Sequence, residues 1–288
     1  VTRASRRNSP VPSPESRVPI LESRLSRAFA RARSENRAAL IAYLTAGDPD
    51  AAQTEALAVE LDAAGADILE LGVAFSDPIA DGPALQRAAE RALAAGVGLD
   101  EIFQLARRIR DRTSLALVLF SYLNPLLARG IGRTAREARQ SGFDGVLVTD
   151  LPPEEARGFQ QAFRAAGLDT IFLVSPTSPA PRMRQAARLS SGFLYVVSRS
   201  GVTGAREGLP ADLPRTVARA RAAASGLPVA VGFGIASPES AAAAARLADG
   251  VVVGSALVSA AHAAGDDRVR AAGELTRRLA SSLARGAE

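Results

Sequence analysis

Residues 66–83 read ADILELGVAFSDPIADGP, and this stretch decides how the rest of the chain is read. It opens as an apolar strand, Ile68-Leu69-Glu70-Leu71-Gly72-Val73, with a carboxylate at its centre. Strand side chains alternate between faces, so Glu70 shares a side with Ile68 and Gly72, while Leu69, Leu71 and Val73 share the other. If the three aliphatics pack against helices, Glu70 enters the sheet's opposite face, where an unpaired carboxylate costs several kcal/mol or takes up a proton. The chain then leaves through Ser76-Asp77-Pro78 and Asp81-Gly82-Pro83, which are turn residues. Asp81 therefore lies on a loop just past the strand's C-terminal end. Two acids in unlike surroundings suit an acid/base site. A plainer reading stands beside it: Glu70 caps a helix or pairs with an arginine, and Asp77 and Asp81 only shape turns.

Outward from this stretch the pattern repeats. Apolar, β-branched runs at residues 39–45, 68–73, 115–123, 145–150, 170–174, 193–198, 228–231 and 251–253 are each followed by a helical pattern. The helices are expected at residues 51–64, 83–95 with 99–112, 125–140, 153–166, 180–189, 213–224 and 238–248, and from about residue 267 onward. Unbroken apolar strands suit a parallel sheet covered on both faces. Eight β/α units in this length predict an α/β fold, a (β/α)8 TIM barrel, preceded by an extra amphipathic helix at residues 17–36. A doubly wound open sheet is the alternative. No linker divides the repeat, so residues 17–288 read as one barrel domain. Residues 1–16, basic and rich in Pro and Ser, read as a disordered tail with no secretory h-region; their Arg and Ser content also fits a transit peptide.

Composition narrows the chemistry. The chain has no cysteine, a single histidine, His262, and no lysine, all 35 basic residues being arginine. Disulfides, thiolate nucleophiles, multi-histidine metal sites, Schiff bases and a P-loop lysine are thereby excluded. The net charge of +5 and clusters such as Arg107, Arg108, Arg110 and Arg112 raise nucleic acid as a ligand. Those arginines alternate with Ile and Leu at helical spacing and lack interleaved aromatics, which reads as a solvated helix face. No apolar run reaches the length of a membrane span. The expectation is neither a nucleic-acid nor a membrane partner.

In a barrel the chemistry gathers at the C-terminal ends of the strands. Those ends carry Tyr43, Glu70 with Asp81, Tyr122 with Asn124, Asp150, Ser175, Tyr195 with Arg199, residues 232–234, and Gly254 with Ser255. Three glycine-rich segments, Gly201-Val202-Thr203-Gly204, Gly232-Phe233-Gly234 and Gly254-Ser255, follow strands six, seven and eight. Glycine lets backbone N–H groups approach an anion, and a short helix starting near Gly254 would add its N-terminus. Together they predict a phosphorylated substrate. Tyr122 and Tyr195 read equally as core aromatics with satisfied hydroxyls. Arg199 would steer phosphate or pair with an acid, and His262 reads as an ordinary helix residue.

The segment from Glu70 to Pro83, ELGVAFSDPIADGP, resembles the signature of the tryptophan synthase alpha subunit family. Leu-Thr-Ala-Gly-Asp-Pro at residues 44–49, Ser-Arg-Ser-Gly-Val-Thr-Gly at 198–204 and Gly-Phe-Gly-Ile at 232–235 resemble further family motifs in the expected order. The resemblance runs from about residue 20 to the C-terminus. Ala74 departs from a usual proline, which would loosen the loop carrying Asp81, and Ala236 departs from a frequent serine. The resemblance implies retro-aldol cleavage of indole-3-glycerol phosphate to indole and glyceraldehyde 3-phosphate. It implies Glu70 as the acid/base, Asp81 as the partner of the indole N–H, and Tyr195 as a supporting hydrogen-bonding group. Tyr43 and Leu85 would contact the indole, with Tyr122, Arg199 and Thr203 among the substrate-binding residues. Gly204, Phe233, Gly234, Gly254 and Ser255 would line the phosphate pocket, and residues 199–208 would form a mobile lid. It further implies a cytoplasmic enzyme without a cofactor of its own. Its partner would be a pyridoxal-phosphate-dependent beta subunit, in an alpha2beta2 assembly. A stand-alone lyase and a weakly catalytic activator of a beta subunit are the alternatives.

Overall fold

The structure, a computed structural model, describes residues 23–197, 209–232 and 234–285. Eight parallel strands close into one barrel in sequence order, β1 pairing with both β2 and β8. The chain runs α1 (Arg24–Ser34), β1 (Ala39–Thr45), α2 (Ala51–Ala63), β2 (Ile68–Gly72), α3 (Pro83–Ala94), α4 (Leu99–Arg112) and β3 (Ala116–Ser121). It continues with α5 (Leu123–Arg129), α6 (Ile131–Gln140), β4 (Gly145–Val148), α7 (Arg157–Ala165), β5 (Asp169–Val174), α8 (Ala180–Leu189) and β6 (Leu194–Val197). The last third holds α9 (Leu213–Ala224), β7 (Val229–Gly232), α10 (Pro238–Ala245), β8 (Gly250–Val253), α11 (Ser255–Ala263) and α12 (Arg268–Ser282). The closed barrel sets aside the open sheet. The proposed tail at residues 1–16 lies outside the described residues.

Three expected elements differ. The helix expected over residues 125–140 is two, α5 and α6, because Gly130 takes φ +90° between them, a conformation that ends a right-handed helix. Strand three stops at Ser121, and Leu123 already opens α5. The helix expected from residue 153 starts at Arg157, the Pro152-Pro153 pair instead forming turns closed by Glu155 and Ala156 N–H groups.

Two apolar layers follow from strand alternation. Leu69 and Leu71 face outward into the shell between strands and helices, joined by Leu40, Leu44, Leu117 and Leu119. Ile68 faces inward with Ile41, Val118, Leu147, Ile171 and Val252. The N-terminal end of the barrel is plugged by α1. Its Leu25, Ala28, Phe29 and Ala32 belong to the inner layer, and Phe29 meets Phe193 with ring centroids 5.5 Å apart. A Cβ added at Gly145 would lie 2.8 Å from Leu25 and one at Gly250 3.0 Å from Phe29, so hydrogen side chains there make room for the plug.

A second device closes the same end. Asp67, just before β2, accepts the Leu40 N–H of β1 at 2.8 Å. Asp144, before β4, accepts the Leu117 N–H of β3 at 2.9 Å, and Asp249, before β8, accepts the Val229 N–H of β7 at 2.9 Å. Each carboxylate is also paired with arginine: Asp67 with Arg31 and Arg37, Asp144 with Arg110, and Asp249 with Arg221. Between β5 and β6 the hydroxyl of Ser190 accepts the Phe172 N–H. These acceptors satisfy strand-end donors that would otherwise be buried unpaired, at roughly 1–3 kcal/mol each. With one end plugged and saturated, the C-terminal end is left for chemistry.

Candidate active site

Glu70 sits at the centre of β2, register partner of Tyr43 on β1 and Val118 on β3, and points into the barrel. It is 1 % exposed, and its Oε1 has no hydrogen-bond partner among the described residues. Burial alone pushes its carboxyl up to about 8. Among the described residues no arginine pairs with Glu70, and its place in mid-strand is not that of a helix cap.

Asp81 arrives by a different route. The loop from β2 folds back through a turn in which the Asp81 N–H donates to the Pro78 carbonyl at 3.0 Å. Gly82 and Pro83 then start α3, and the Gln86 amide donates to the Asp81 carbonyl at 2.9 Å. Arg91 of α3 anchors the helix to Asp48 after β1 through two bonds of 2.6 and 2.7 Å. Ala74, at the start of the loop, is buried in a small cluster with Ala89 and Ala92, so apolar packing ties the loop to α3 at that point. Tyr122, at the end of β3, completes the fixing. Its hydroxyl accepts the Ala80 N–H at 2.9 Å, on the residue before Asp81. Asp81 is buried, which pushes its carboxyl up to about 6, with the nearby Tyr122 hydroxyl pulling the other way.

Near neutral pH these values leave Glu70 mainly protonated and Asp81 mainly ionised. The site thus pairs an acid that can give up a proton with an anion that can meet developing positive charge.

Aromatic rings surround the pair. Tyr43 stands edge-on to Phe120, with centroids 5.1 Å apart. Tyr195, on β6, is buried, and its phenol is held above its ordinary value by burial and by the Glu70 charge. Leu85 of α3 packs against the inner layer. On the other side of β1, β7 ends at Gly232, Gly234 takes φ +83°, and β8 gives way at Gly254 to α11, which starts at Ser255 with no side-chain cap. Uncapped N–H groups at a helix N-terminus attract an anion.

The structure thus brings together Glu70, Asp81, Tyr43, Tyr122 and Tyr195, with Leu85 beside them and Gly234, Gly254 and Ser255 at the strand seven and eight ends. Arg199, Thr203, Gly204, Phe233 and the residues 199–208 expected to form a lid lie outside the described residues. Asp150 is otherwise engaged: it accepts the Leu123 N–H at 2.8 Å and so caps α5. His262 is an exposed residue of α11. Among the described residues no group of acids and histidine could hold a metal ion, and no helix is long and apolar enough to cross a membrane.

Sequence reasoning put Gly72 on the face of Glu70 but gave it no role, and it passed over Phe120. Both were within reach of alternation. Phe120 shares a face with Val118, and Gly72 shares one with Glu70. A Cβ at Gly72 would lie 2.1 Å from the Tyr43 hydroxyl, and one at Gly232 would lie 2.1 Å from that of Tyr195. Two inward tyrosines thus each lie over a glycine of the next strand.

A family model described as tryptophan synthase alpha chain matches residues 29–285. The tryptophan synthase alpha chain of Geobacter sulfurreducens is 52 % identical over 236 residues, 82 % of this chain and 89 % of that one. The alpha chain of Pelobacter propionicus is 46 % identical over 259 residues, covering 90 % of this chain and 96 % of that one. Among solved structures, Mycobacterium tuberculosis tryptophan synthase superposes with a TM-score of 0.84 at 39 % identity, covering 92 % of this chain and 99 % of that one. The alpha subunit of tryptophan synthase from Legionella pneumophila gives 0.81 at 38 % identity, over 91 % and 98 % of the two chains.

Proposed function

The chain belongs to the tryptophan synthase alpha chain family, and on that premise we propose how its site performs the retro-aldol cleavage of indole-3-glycerol phosphate to indole and glyceraldehyde 3-phosphate. The observation that carries the assignment of roles is the pairing of Glu70, buried with one oxygen that meets no donor among the described residues, with Asp81, buried on a loop that the Tyr122 hydroxyl fixes at Ala80.

In this reading the phosphate lies against the backbone of Gly234, Gly254 and Ser255; Phe233 and Gly204, outside the described residues, are counted with the phosphate-binding residues. The indole ring lies between Tyr43, Leu85 and Tyr122. The Glu70 carboxyl gives its proton to indole C3, and the ring becomes a cationic indolenine. Asp81 accepts the ring N–H and stabilises that charge, as a preorganised anion does in a site closed to water. Glu70, now a carboxylate, takes the proton from the hydroxyl on the carbon joined to C3. The C–C bonding pair returns to the ring, the aldehyde forms, and Glu70 is again protonated. The ring itself is the electron sink, so the step needs neither a lysine imine nor a cofactor on this chain. Tyr195 supports Glu70, and Arg199 and Thr203, outside the described residues, are counted with the substrate-binding residues.

The catalytic unit is the barrel of residues 17–288 with residues 1–16 as a tail; the packing of α1 inside the barrel supports counting that helix with the domain. The chain works with a beta subunit in an alpha2beta2 assembly in the cytoplasm, pyridoxal phosphate being held by the partner. Indole release from indole-3-glycerol phosphate, by the purified chain alone and with an added beta subunit, tests this. Slow release alone and strong acceleration by the partner are expected. Fast release indifferent to the partner would point to a stand-alone lyase, acceleration of the partner without indole release to an activator, and no effect in either direction to another substrate.

A further inference from the structure

Four buried side-chain oxygens among the described residues lack a hydrogen-bond partner: Glu70 Oε1, Ser141 Oγ, Thr149 Oγ1 and Asp169 Oδ2. Ser141 ends α6 and Asp169 opens β5, both at the end of the barrel that α1 plugs. Glu70 serves the reaction. Thr149 has no part in it, yet it stands at the catalytic end, as the first residue after β4. Its N–H donates to the Ser121 carbonyl at 3.0 Å and extends the β3–β4 ladder by one step, which sets Thr149 beside Tyr122. Two steps beyond the Leu147–Ile171 pair, the same register sets it beside Leu173 of β5. Alternation puts Thr149 on the face of Leu147, in the inner layer, while Val146 and Val148 belong to the outer one. Other strand-end hydroxyls are engaged. Ser121 donates to the Tyr122 carbonyl at 2.7 Å, Thr45 meets the Tyr43 hydroxyl at 3.4 Å, and Ser175 meets Thr177 and Ser178 at 3.0 and 3.2 Å. Thr149 itself is only partly buried, so the residue borders the opening of the site while its hydroxyl oxygen is shielded.

The strands close in sequence order, so β4 faces β8 across the barrel. With the phosphate at the ends of β7 and β8, the far end of the substrate, the six-membered ring of the indole, points toward β3 and β4. That edge of the ring carries only C–H groups and cannot satisfy a hydroxyl, whereas a hydroxyl on the ring can both donate to it and accept from it. We propose that Thr149 is a specificity-determining residue, whose hydroxyl pairs with a hydroxyl on the six-membered ring and so fits the site to hydroxylated indole-3-glycerol phosphates. The proposal rests on the placing of the indole and phosphate given above. A shielded hydroxyl facing a C–H edge weakens binding of the plain ring, and a substituent that pairs with it recovers the loss.

The chain contains no tryptophan, so the fluorescence of added indoles reads their binding directly. The test measures Kd in the full chain for indole, for hydroxyindoles substituted at each position of the six-membered ring, and for the matching methylindoles. A methyl group resembles the hydroxyl in size and lacks its hydrogen bond. In wild type at least one position should favour hydroxyl over methyl by roughly 3–10-fold in Kd, the worth of one neutral hydrogen bond. Thr149→Val should erase that preference and bind plain indole roughly twofold more tightly, because it removes the unpaired hydroxyl. Thr149→Ser should keep the preference. If Thr149→Val does not fold, Thr149→Ala decides. A wild type that favours hydroxyl at no position overturns the proposal, as does a preference that survives Thr149→Val or a failure of every indole to bind. Indole release from indole-3-glycerol phosphate by the same preparation separates this inference from the reaction. A preference that depends on Thr149 in a protein that releases no indole would overturn the functional reading and leave the ring pocket standing.

Discussion

Asp67 and Glu70 are three residues apart, one just before β2 and one at its centre, yet the barrel treats them in opposite ways. Asp67 is buried and saturated: it accepts from Arg31 at 2.7 Å, from Arg37 at 2.5 and 2.8 Å, and from the Leu40 N–H at 2.8 Å. Glu70 is equally buried, with one oxygen that meets no donor among the described residues. The first carboxylate closes a seam between strands at the end that α1 plugs. The second turns an oxygen into the barrel that no described residue satisfies. Buried charge with partners is architecture, and buried acid without them is stored reactivity.

The contrast can be broken by exchanging each group for its amide. The largest effect is expected at Glu70→Gln. General acid–base groups contribute about 10²–10⁴-fold, and a residue that handles both protons should cost at least about 10³-fold in turnover. Because the side chain already favours its neutral form, the melting temperature should stay level or rise. Substrate binding, measured by calorimetry, should be largely kept.

Asp67→Asn should invert that pattern. It leaves two guanidinium groups and a strand N–H with a weaker acceptor, and a loss of about 3 kcal/mol in chemical denaturation is expected. Turnover per folded molecule should be unchanged within about twofold. A variant that lost activity while keeping its stability would mean that the two ends of β2 are not separable.

A third prediction sharpens the comparison through pH, where the change at any one step of pH is small. In the native state Glu70 binds its proton more tightly than the unfolded chain does, with a value of about 8 against 4.5. Its contribution to stability is full below the unfolded value and is lost as pH rises toward and through the folded one, at up to roughly 1.4 kcal/mol per pH unit. The stability of Glu70→Gln relative to wild type should therefore grow between pH 5 and about pH 9, as read by denaturation midpoints.

Much of this was legible in the chain. Alternation in Ile68-Leu69-Glu70-Leu71-Gly72 placed Glu70 on the inner face, because a strand sandwiched between two apolar layers leaves its side chains only two directions. The eight apolar runs, each followed by a helix, gave the barrel for the same reason. Helix boundaries were less legible: the break at Gly130 depends on one positive φ, and residues 153–156 turn before α7 although proline is also common in a first helical turn. The fixing of Asp81 could not be read, since it depends on Tyr122, 41 residues on, whose hydroxyl reaches the loop only after β3 has paired with β2. Asp150 looked like a site residue by its place at a strand end, and only the folded chain shows it capping α5.

The central claim is that one carboxyl works as an acid while the other works as an anion, and it is tested most directly by the pH dependence of kcat/KM for indole release. Activity requires ionised Asp81, lost as pH falls through about 6, and protonated Glu70, lost as pH rises through about 8. The account predicts a bell with limbs near those two values, and loss of the alkaline limb from whatever residual activity Glu70→Gln retains. A rate that is flat from pH 5 to pH 9, or an alkaline limb that persists unchanged in Glu70→Gln, would contradict it.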